Sequence, residues 1–283
     1  MFASRAKLLV AAALFSTGGA AVKAITLSGW QVAGLRSGIA ALVLLFALPA
    51  ARRRWSWASV AIGISYAATM ILFVLANKLT TAANTIFLQS TAPLYILLLG
   101  PWLLDERVHR RDLVYMLALA LGMGLFFVGD EGAMVTAPNP PLGNLLGAAA
   151  GVTWAITVVG MRALGRRRNL AGQAAFQGNL FAFLFCLPFL GSAVTGATAG
   201  DWWTVLYLGI FQIGVAYVLL SSSMRHVPAL EASLLLLVEP VLSPLWAWML
   251  HGEVPAAGSL VGGTVIVVAT LVKTWLDVRR AAS

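Results

Sequence analysis

The sequence predicts an all-α membrane protein of ten transmembrane helices, arranged as two inverted five-helix repeats, residues 1–138 and 139–283. Three observations predict it: a composition too apolar for water, a one-sided placement of the basic residues, and an internal match between the halves. Hydrophobic residues fill 60% of the 283 positions and charged residues only 10%, against roughly 25% charged in a soluble domain. Such a chain lacks a water-facing surface to match its apolar bulk, so lipid is its solvent.

A helix needs about 20 apolar residues to cross the hydrocarbon layer. Between Gly, Pro and charged punctuation the chain offers ten such runs: 8–27, 31–50, 57–76, 82–104, 112–129, 142–162, 171–191, 203–222, 229–250 and 256–276. The linkers are short and leave no room for a soluble domain. The first run has the outline of a secretory signal, with Arg5 and Lys7 ahead of an apolar stretch from Leu8 and small residues up to Ala24. A later segment matches it, which makes it the first span of the fold.

A formal charge of +9 could point to nucleic acid. The basic residues instead sit in short clusters between apolar runs, as in Arg52-Arg53-Arg54, Arg107 to Arg111 and Arg166-Arg167-Arg168, a spacing that marks cytoplasmic loops and leaves nucleic acid out as a partner. With the N-terminus inside, one face collects Arg5, Lys7, Arg52 to Arg54, Arg107, Arg110, Arg111, Arg162, Arg166 to Arg168, Arg225, Lys273, Arg279 and Arg280. The other has only Lys23 and Lys78, while Arg36 lies within the second span. This predicts a multi-pass protein of the inner (plasma) membrane with both termini cytoplasmic and the bilayer as its surroundings. The single cysteine, Cys186, excludes a disulfide framework and any CxxC pair, and neither metal nor cofactor is expected.

Superimposing Pro49 on Pro188 brings Lys23 onto Arg162 and Phe15 onto Trp154. Superimposing Pro93 on Pro240 brings Glu106 onto Glu253, Ala82 onto Ala229, Lys78 onto Arg225 and Leu94 onto Val241. The two registers are separated by a longer connection in the second half, around Gly191 to Gly200. Five spans per copy is an odd number, so the copies run in opposite directions through the bilayer. The charges agree, because the basic cluster at 107–111 aligns with Val254 to Gly258, which has none. Inverted repeats of this kind recur in secondary transporters, with the site near the midplane between the halves; a duplicated channel or membrane enzyme is the other use of such a repeat.

The run Leu230-Glu231-Ala232-Ser233 to Glu239-Pro240, followed by Pro244 and Glu253, resembles the signature of the drug/metabolite transporter superfamily, EamA type. The first-half counterpart, Asn84 through Pro93 to Asp105-Glu106, is similar to it as well, and the resemblance covers about residues 8–276. It implies a ten-helix basket and, in many members, efflux of amino acids or other metabolites. A narrower resemblance, to the bacterial amino-acid exporters known for aromatic or general substrates, rests on Ser65-Tyr66, Trp154-Ala155 and Ala216-Tyr217; the fourth span departs from it with Gln89-Ser90-Thr91-Ala92. The expected activity is therefore export of a small metabolite, amino acids first, with other neutral or amphipathic solutes or drugs as the alternative, by a monomer or weak homodimer.

Depth along each span, at about 1.5 Å per residue, puts Ser16, Thr17, Tyr66, Thr91, Trp154, Gln212, Tyr217 and Glu239 near the midplane. Rings there could hold the apolar part of a small zwitterion, and hydroxyls and amides its polar head. Small polar residues such as Ser16, Thr17 and Thr91 serve equally to tie helices together. Along the fourth span Asn84, Leu88, Thr91 and Tyr95 fall at helical spacing on one face. Pro93 interrupts that helix, as Pro240 and Pro244 interrupt the ninth, and paired broken helices point to a binding site.

Glu239 has Ala92 as its repeat partner, so this carboxyl exists in one half only. A charge at that depth costs about 2.5–3.5 kcal/mol on insertion scales and must be paired, hydrated or protonated. It could couple export to proton entry, or as a neutral acid satisfy the carbonyl that Pro240 frees one turn earlier. Lys23 and Arg36 lie slightly inside the outer face with stems long enough to snorkel; the functional use is for one of them, Lys23 first, to meet a substrate carboxylate. Gly34 with Gly38, Gly147 with Gly151, and Gly258 with Gly262 let helices approach closely.

An intramembrane enzyme is the remote alternative. His109, His226 and His251 sit at span ends with no HExxH pair, and Ser16 is two helical turns from Lys23. A cation pump would need an acidic residue in the first span, and a sugar-phosphate carrier several buried cations.

Overall fold

The computed structural model describes residues 2–103, 108–128, 132–165, 171–191, 196–223, 227 and 229–281. The expectations at Glu106, Arg107, Arg166 to Arg168, Arg225 and His226, and for the side chains of Arg162, Glu231 and Ser233, lie outside the described residues.

The described residues form helices almost throughout, with one isolated bridge between Met134 and Ala137. In chain order these are α1 (Phe2–Ser16), α2 (Gly18–Ala24), α3 (Gly29–Ala47), α4 (Trp57–Leu79), α5 (Ala82–Gln89), α6 (Ala92–Leu103), α7 (Arg110–Gly124), α8 (Pro140–Gly165), α9 (Ala171–Cys186), α10 (Ala199–Tyr207), α11 (Ala216–Ser223), α12 (Ala229–Leu236), α13 (Val238–His251) and α14 (Ala257–Ala281). Local chemistry sets their starts. Ser28 with Gln31, Ser56 with Ser59 and Thr198 with Asp201 form reciprocal capping boxes, and Thr81 caps α5 through the Asn84 amide. Each such cap is worth about 1 kcal/mol.

Eight helical stretches are long and apolar enough to cross a membrane, among them Ala3–Ala24, Ala82–Leu103 and Ala199–Ser223, each built from consecutive segments. The stretches expected at 112–129 and 171–191 are shorter: α7 has 15 residues and α9 has 16. Pro188 ends α9, because it turns the chain into a 3-10 segment at Leu187–Phe189. Phe46, Trp57, Ile64, Trp102, Leu117 and Val128 stand exposed on the outside, the surface a lipid solvent requires.

Three of the spanning stretches are interrupted. Ala3–Ala24 breaks at Thr17, Ala82–Leu103 at Ser90-Thr91, and the stretch from Ala229 to His251 at Leu237, the last two just ahead of Pro93 and Pro240. Around these breaks the amides of Thr91 and Leu237 bond three residues back, to Leu88 and Leu234. A π-helical segment, Leu208–Val215, joins α10 to α11. The α4 helix packs on α3, α8 and α9, α3 also packs on the π segment, and α7 packs on α14. Ser65 Oγ donates to the Thr153 carbonyl at 2.8 Å and Thr69 Oγ1 to Thr153 Oγ1 at 2.8 Å, locking α4 to α8. The small-residue pairs serve these contacts within the chain: Gly34 lies against Cys186, Gly38 against Phe183, Gly151 against the Leu88 carbonyl and Gly262 against the Gly122 carbonyl.

Candidate functional site

A cavity of about 380 Å³ opens among the middles of the interrupted helices. Phe15, Trp154, Tyr217, Gln212, Arg36 and Glu239 are on its wall, with Gln89, Ser90 and Pro93 from α5, α6 and the break between them, and Leu236 and Pro240 from α12 and α13. The prolines shape this wall chemically. Each lacks an amide hydrogen, so the carbonyl four residues earlier loses its helical donor. Those residues are Gln89 and Leu236, both of which line the cavity.

The rings form one connected group. Tyr66 meets Trp154 edge-on at 5.9 Å and Tyr217 at 5.8 Å between centroids, and Phe15 meets Tyr217 at 5.3 Å. Gly178 makes room behind Tyr66, since a Cβ there would sit 2.3 Å from the Tyr66 Cδ1. Gln212 rides on the π segment and reaches past Gly18, donating from Nε2 to the Phe15 carbonyl at 3.3 Å while its Oε1 stays without a partner. π segments often mark functional sites because they re-aim a side chain.

Of the residues expected in the site, Trp154, Gln212, Tyr217 and Glu239 line the cavity and Tyr66 stands directly behind them. The structure does not bring the others to the wall. Ser16 Oγ donates to the Ala13 carbonyl at 2.7 Å and accepts from Trp246 Nε1 at 3.0 Å. Thr17 Oγ1 bonds the Leu14 carbonyl at 2.7 Å and the Tyr207 hydroxyl at 2.8 Å. Thr91 Oγ1 donates to the Leu88 carbonyl at 2.6 Å, and Tyr95 hydroxyl to Met123 Sδ at 3.2 Å. Leu88 is fully buried against α8. Asn84 Nδ2 donates to Asn144 Oδ1 at 3.0 Å. Asn84, Leu88 and Tyr95 do share a face, but it packs on α8, against Asn144, Gly147 and Gly151; the face that carries Ile86, Gln89, Ser90 and Pro93 lines the cavity instead.

The two cations also depart from expectation: neither snorkels to water. Lys23 Nζ lies 3.1 Å from Glu253 Oε1, their side chains 2% and 1% exposed. It donates to the carbonyls of Asn77, Thr80 and Thr136 at 2.9, 2.8 and 2.5 Å. Glu253 Oε2 accepts from the Ala82 amide at 3.2 Å. Around this pair Thr80 Oγ1 donates to Asn144 Oδ1 at 2.7 Å, Asn144 Nδ2 to the Phe126 carbonyl at 2.7 Å, and Lys78 Nζ to the Ile25 carbonyl. The Thr26 amide and hydroxyl both bond Asp201, at 2.7 Å each. The C-terminal ends of α2, α4 and α13 therefore gather with the N-terminal ends of α3, α5, α8 and α10 in one polar plug. Arg36 is the residue whose place sequence depth misjudged most. It is 1% exposed yet lines the central cavity, its Nη2 donating to the Met70 carbonyl at 3.2 Å and its charge 5.9 Å from the Phe73 ring centroid.

The sequence profile of the EamA-like transporter family matches residues 6–128 and again 141–275. The chain belongs to the EamA-like transporter family. As a member of that family, within the drug/metabolite transporter superfamily, it is a multi-pass membrane transporter and not an enzyme. Among the relatives of this EamA-like protein, an uncharacterized transporter of Archaeoglobus fulgidus is 27% identical over 74% of this chain and 73% of its own length. The pseudopaline exporter CntI of Pseudomonas aeruginosa strain UCBPP-PA14 is 26% identical over 93% of both chains. A solved crystal structure superposes with a TM-score of 0.63 over 99% of both chains at 21% identity, which shows a shared fold.

Proposed function

We propose that this EamA-like protein is a secondary transporter of the inner membrane that exports small metabolites, amino acids first, by alternating access between two inverted five-helix halves, 1–138 and 139–283. The observation that carries the reading is a central cavity of rings and a few polar groups, sealed toward one end by a buried ion pair. A solute cavity with a sealed, ion-paired contact at one end of the bundle is what alternating access requires of a single state. The basic residues at the starts of α1 and α7 lie at the far end of their stretches from this plug. The positive-inside rule then makes the plugged end periplasmic and keeps both termini cytoplasmic.

Several features support the inverted repeat. The family profile matches twice in tandem. The first and sixth, third and eighth, and fourth and ninth stretches are repeat mates, and in each pair one helix brings its C-terminus to the plug and the other its N-terminus. The breaks at Ser90 and Leu237 coincide when Pro93 is laid on Pro240. The exporter CntI, similar over almost the whole length, supports the outward direction.

Counterflow of radiolabelled amino acids in proteoliposomes tests the reading. Exchange of at least one amino acid against its unlabelled form is expected; absence of exchange across the full set of proteinogenic amino acids would remove that substrate class.

A further inference from the structure

The cavity holds two opposite charges that do not pair with each other. Arg36 sits about 10 Å along α3 from its start, with its Nε lacking any hydrogen-bond partner although the residue is 1% exposed. Its one carbonyl contact, to Met70 at 3.2 Å, and its position over Phe73 leave the guanidinium without a carboxylate. Glu239, in the first turn of α13, lines the same cavity, and among the described residues it makes neither a hydrogen bond nor an ion pair. The two residues come from different halves, with the cavity between the helices that carry them.

An isolated charge in an apolar interior is unfavourable unless something compensates it. Two other charged groups among the described residues meet that rule: Lys23 has Glu253, and Asp112 has Lys273 at 3.1 Å. Arg36 and Glu239 stand apart from it on the wall of the central cavity. A guanidinium presents a planar fork that matches a carboxylate. A carboxylate on the same wall as Leu236, whose carbonyl lacks its helical donor, matches an ammonium group, which has three donors to place. The rings of Trp154, Tyr217 and Phe15 leave an apolar surface for a side chain between the two.

We infer that the cavity takes its solute as a zwitterion, with the carboxylate on Arg36 and the ammonium on Glu239. This rests on the export reading above and adds its recognition chemistry. Arg36 thereby takes the carboxylate-binding role that depth along the chain gave to Lys23, which is fully engaged in the plug. The arrangement disfavours cations without a carboxylate, and anions without an ammonium group.

The test uses the full-length protein in nanodiscs and two probes, L-leucine and L-phenylalanine, each beside its amide and its N-acetyl derivative. Affinity is read from the ligand-dependent rise in thermal unfolding midpoint, and transport from counterflow in proteoliposomes. For the wild type, at least one parent amino acid is expected to bind at least 10-fold more tightly than either blocked derivative. In Arg36→Gln the preference for acid over amide is lost while that over the N-acetyl form survives; Glu239→Gln does the reverse; Arg36→Lys keeps part of the acid preference. Equal binding of acid, amide and N-acetyl forms by the wild type overturns the inference without need of any variant. So does a variant that weakens all three forms equally. Counterflow without charge preference overturns this inference and leaves the export reading standing. Charge-matched binding without counterflow does the opposite.

Discussion

Lys23 Nζ and Glu253 Oε1 lie 3.1 Å apart at the heart of the polar plug, with side chains 2% and 1% exposed. An ion pair taken this far out of water gains little net stability, because desolvation offsets the attraction, yet losing one partner strands the other charge. Lys23→Met or Glu253→Gln alone should therefore destabilise the protein by about 3–5 kcal/mol, seen as a large drop in the thermal unfolding midpoint in detergent. The double variant Lys23→Met with Glu253→Leu should recover most of that loss. Single variants that melt with the wild type would remove the pair from the plug.

Trp154 lines the cavity and meets Tyr66 edge-on at 5.9 Å. Trp154→Ala removes a ring from a wall that already borders empty space, so the helices have little to collapse onto. Counterflow should fall about 10-fold or more, equivalent to about 1.4 kcal/mol, while size-exclusion behaviour stays that of the wild type. Unaltered flux would place the solute elsewhere.

Gly178 has no room for a methyl group, because its Cβ would come within 2.3 Å of Tyr66 Cδ1 and 2.6 Å of Tyr66 Cβ. Gly178→Ala should push the Tyr66 ring toward Trp154 and Tyr217, costing about 1–3 kcal/mol in the manner of other overpacked cores, and should slow transport as well. Gly191→Ala, at a site with nothing within 4 Å, is the matched control and should leave the melting curve and flux unchanged.

Glu239 is the one acidic side chain among the described residues on the cavity wall. If its carboxyl exchanges a proton for the solute, wild-type flux should rise when an inward proton gradient is imposed. In Glu239→Gln the same gradient should have no effect. A variant whose gradient response equals the wild type's would take Glu239 out of the coupling step.

Much of this site was legible from depth alone. Counting along each span put Trp154, Gln212, Tyr217 and Glu239 at the level of the cavity, and Pro93 and Pro240 announced the two broken helices that line it. Depth says nothing about direction around the helix axis. Ser16, Thr17 and Thr91 lie at suitable depths yet spend their hydroxyls on Ala13, Tyr207 and Leu88. The periodicity read through Asn84, Leu88 and Tyr95 found a real face, but that face meets α8 and not the cavity. Lys23 and Arg36 show the same limit for charge. A long basic side chain near a helix end looks free to reach water, and only the folded chain brings three carbonyls and Glu253 to the first and an apolar cavity to the second. The π segment that carries Gln212 leaves no mark in the sequence.

The central claim is a solute path lying between two inverted halves and, in this state, plugged on the Lys23 side. A cysteine at Gln89, on the cavity wall, in a Cys186→Ala background reports on it directly. A membrane-impermeant maleimide applied separately to each face of sealed vesicles should label that cysteine mainly from the cytoplasmic face, and a transported amino acid should slow the labelling. Faster labelling from the periplasmic face, or none from either, would contradict the account.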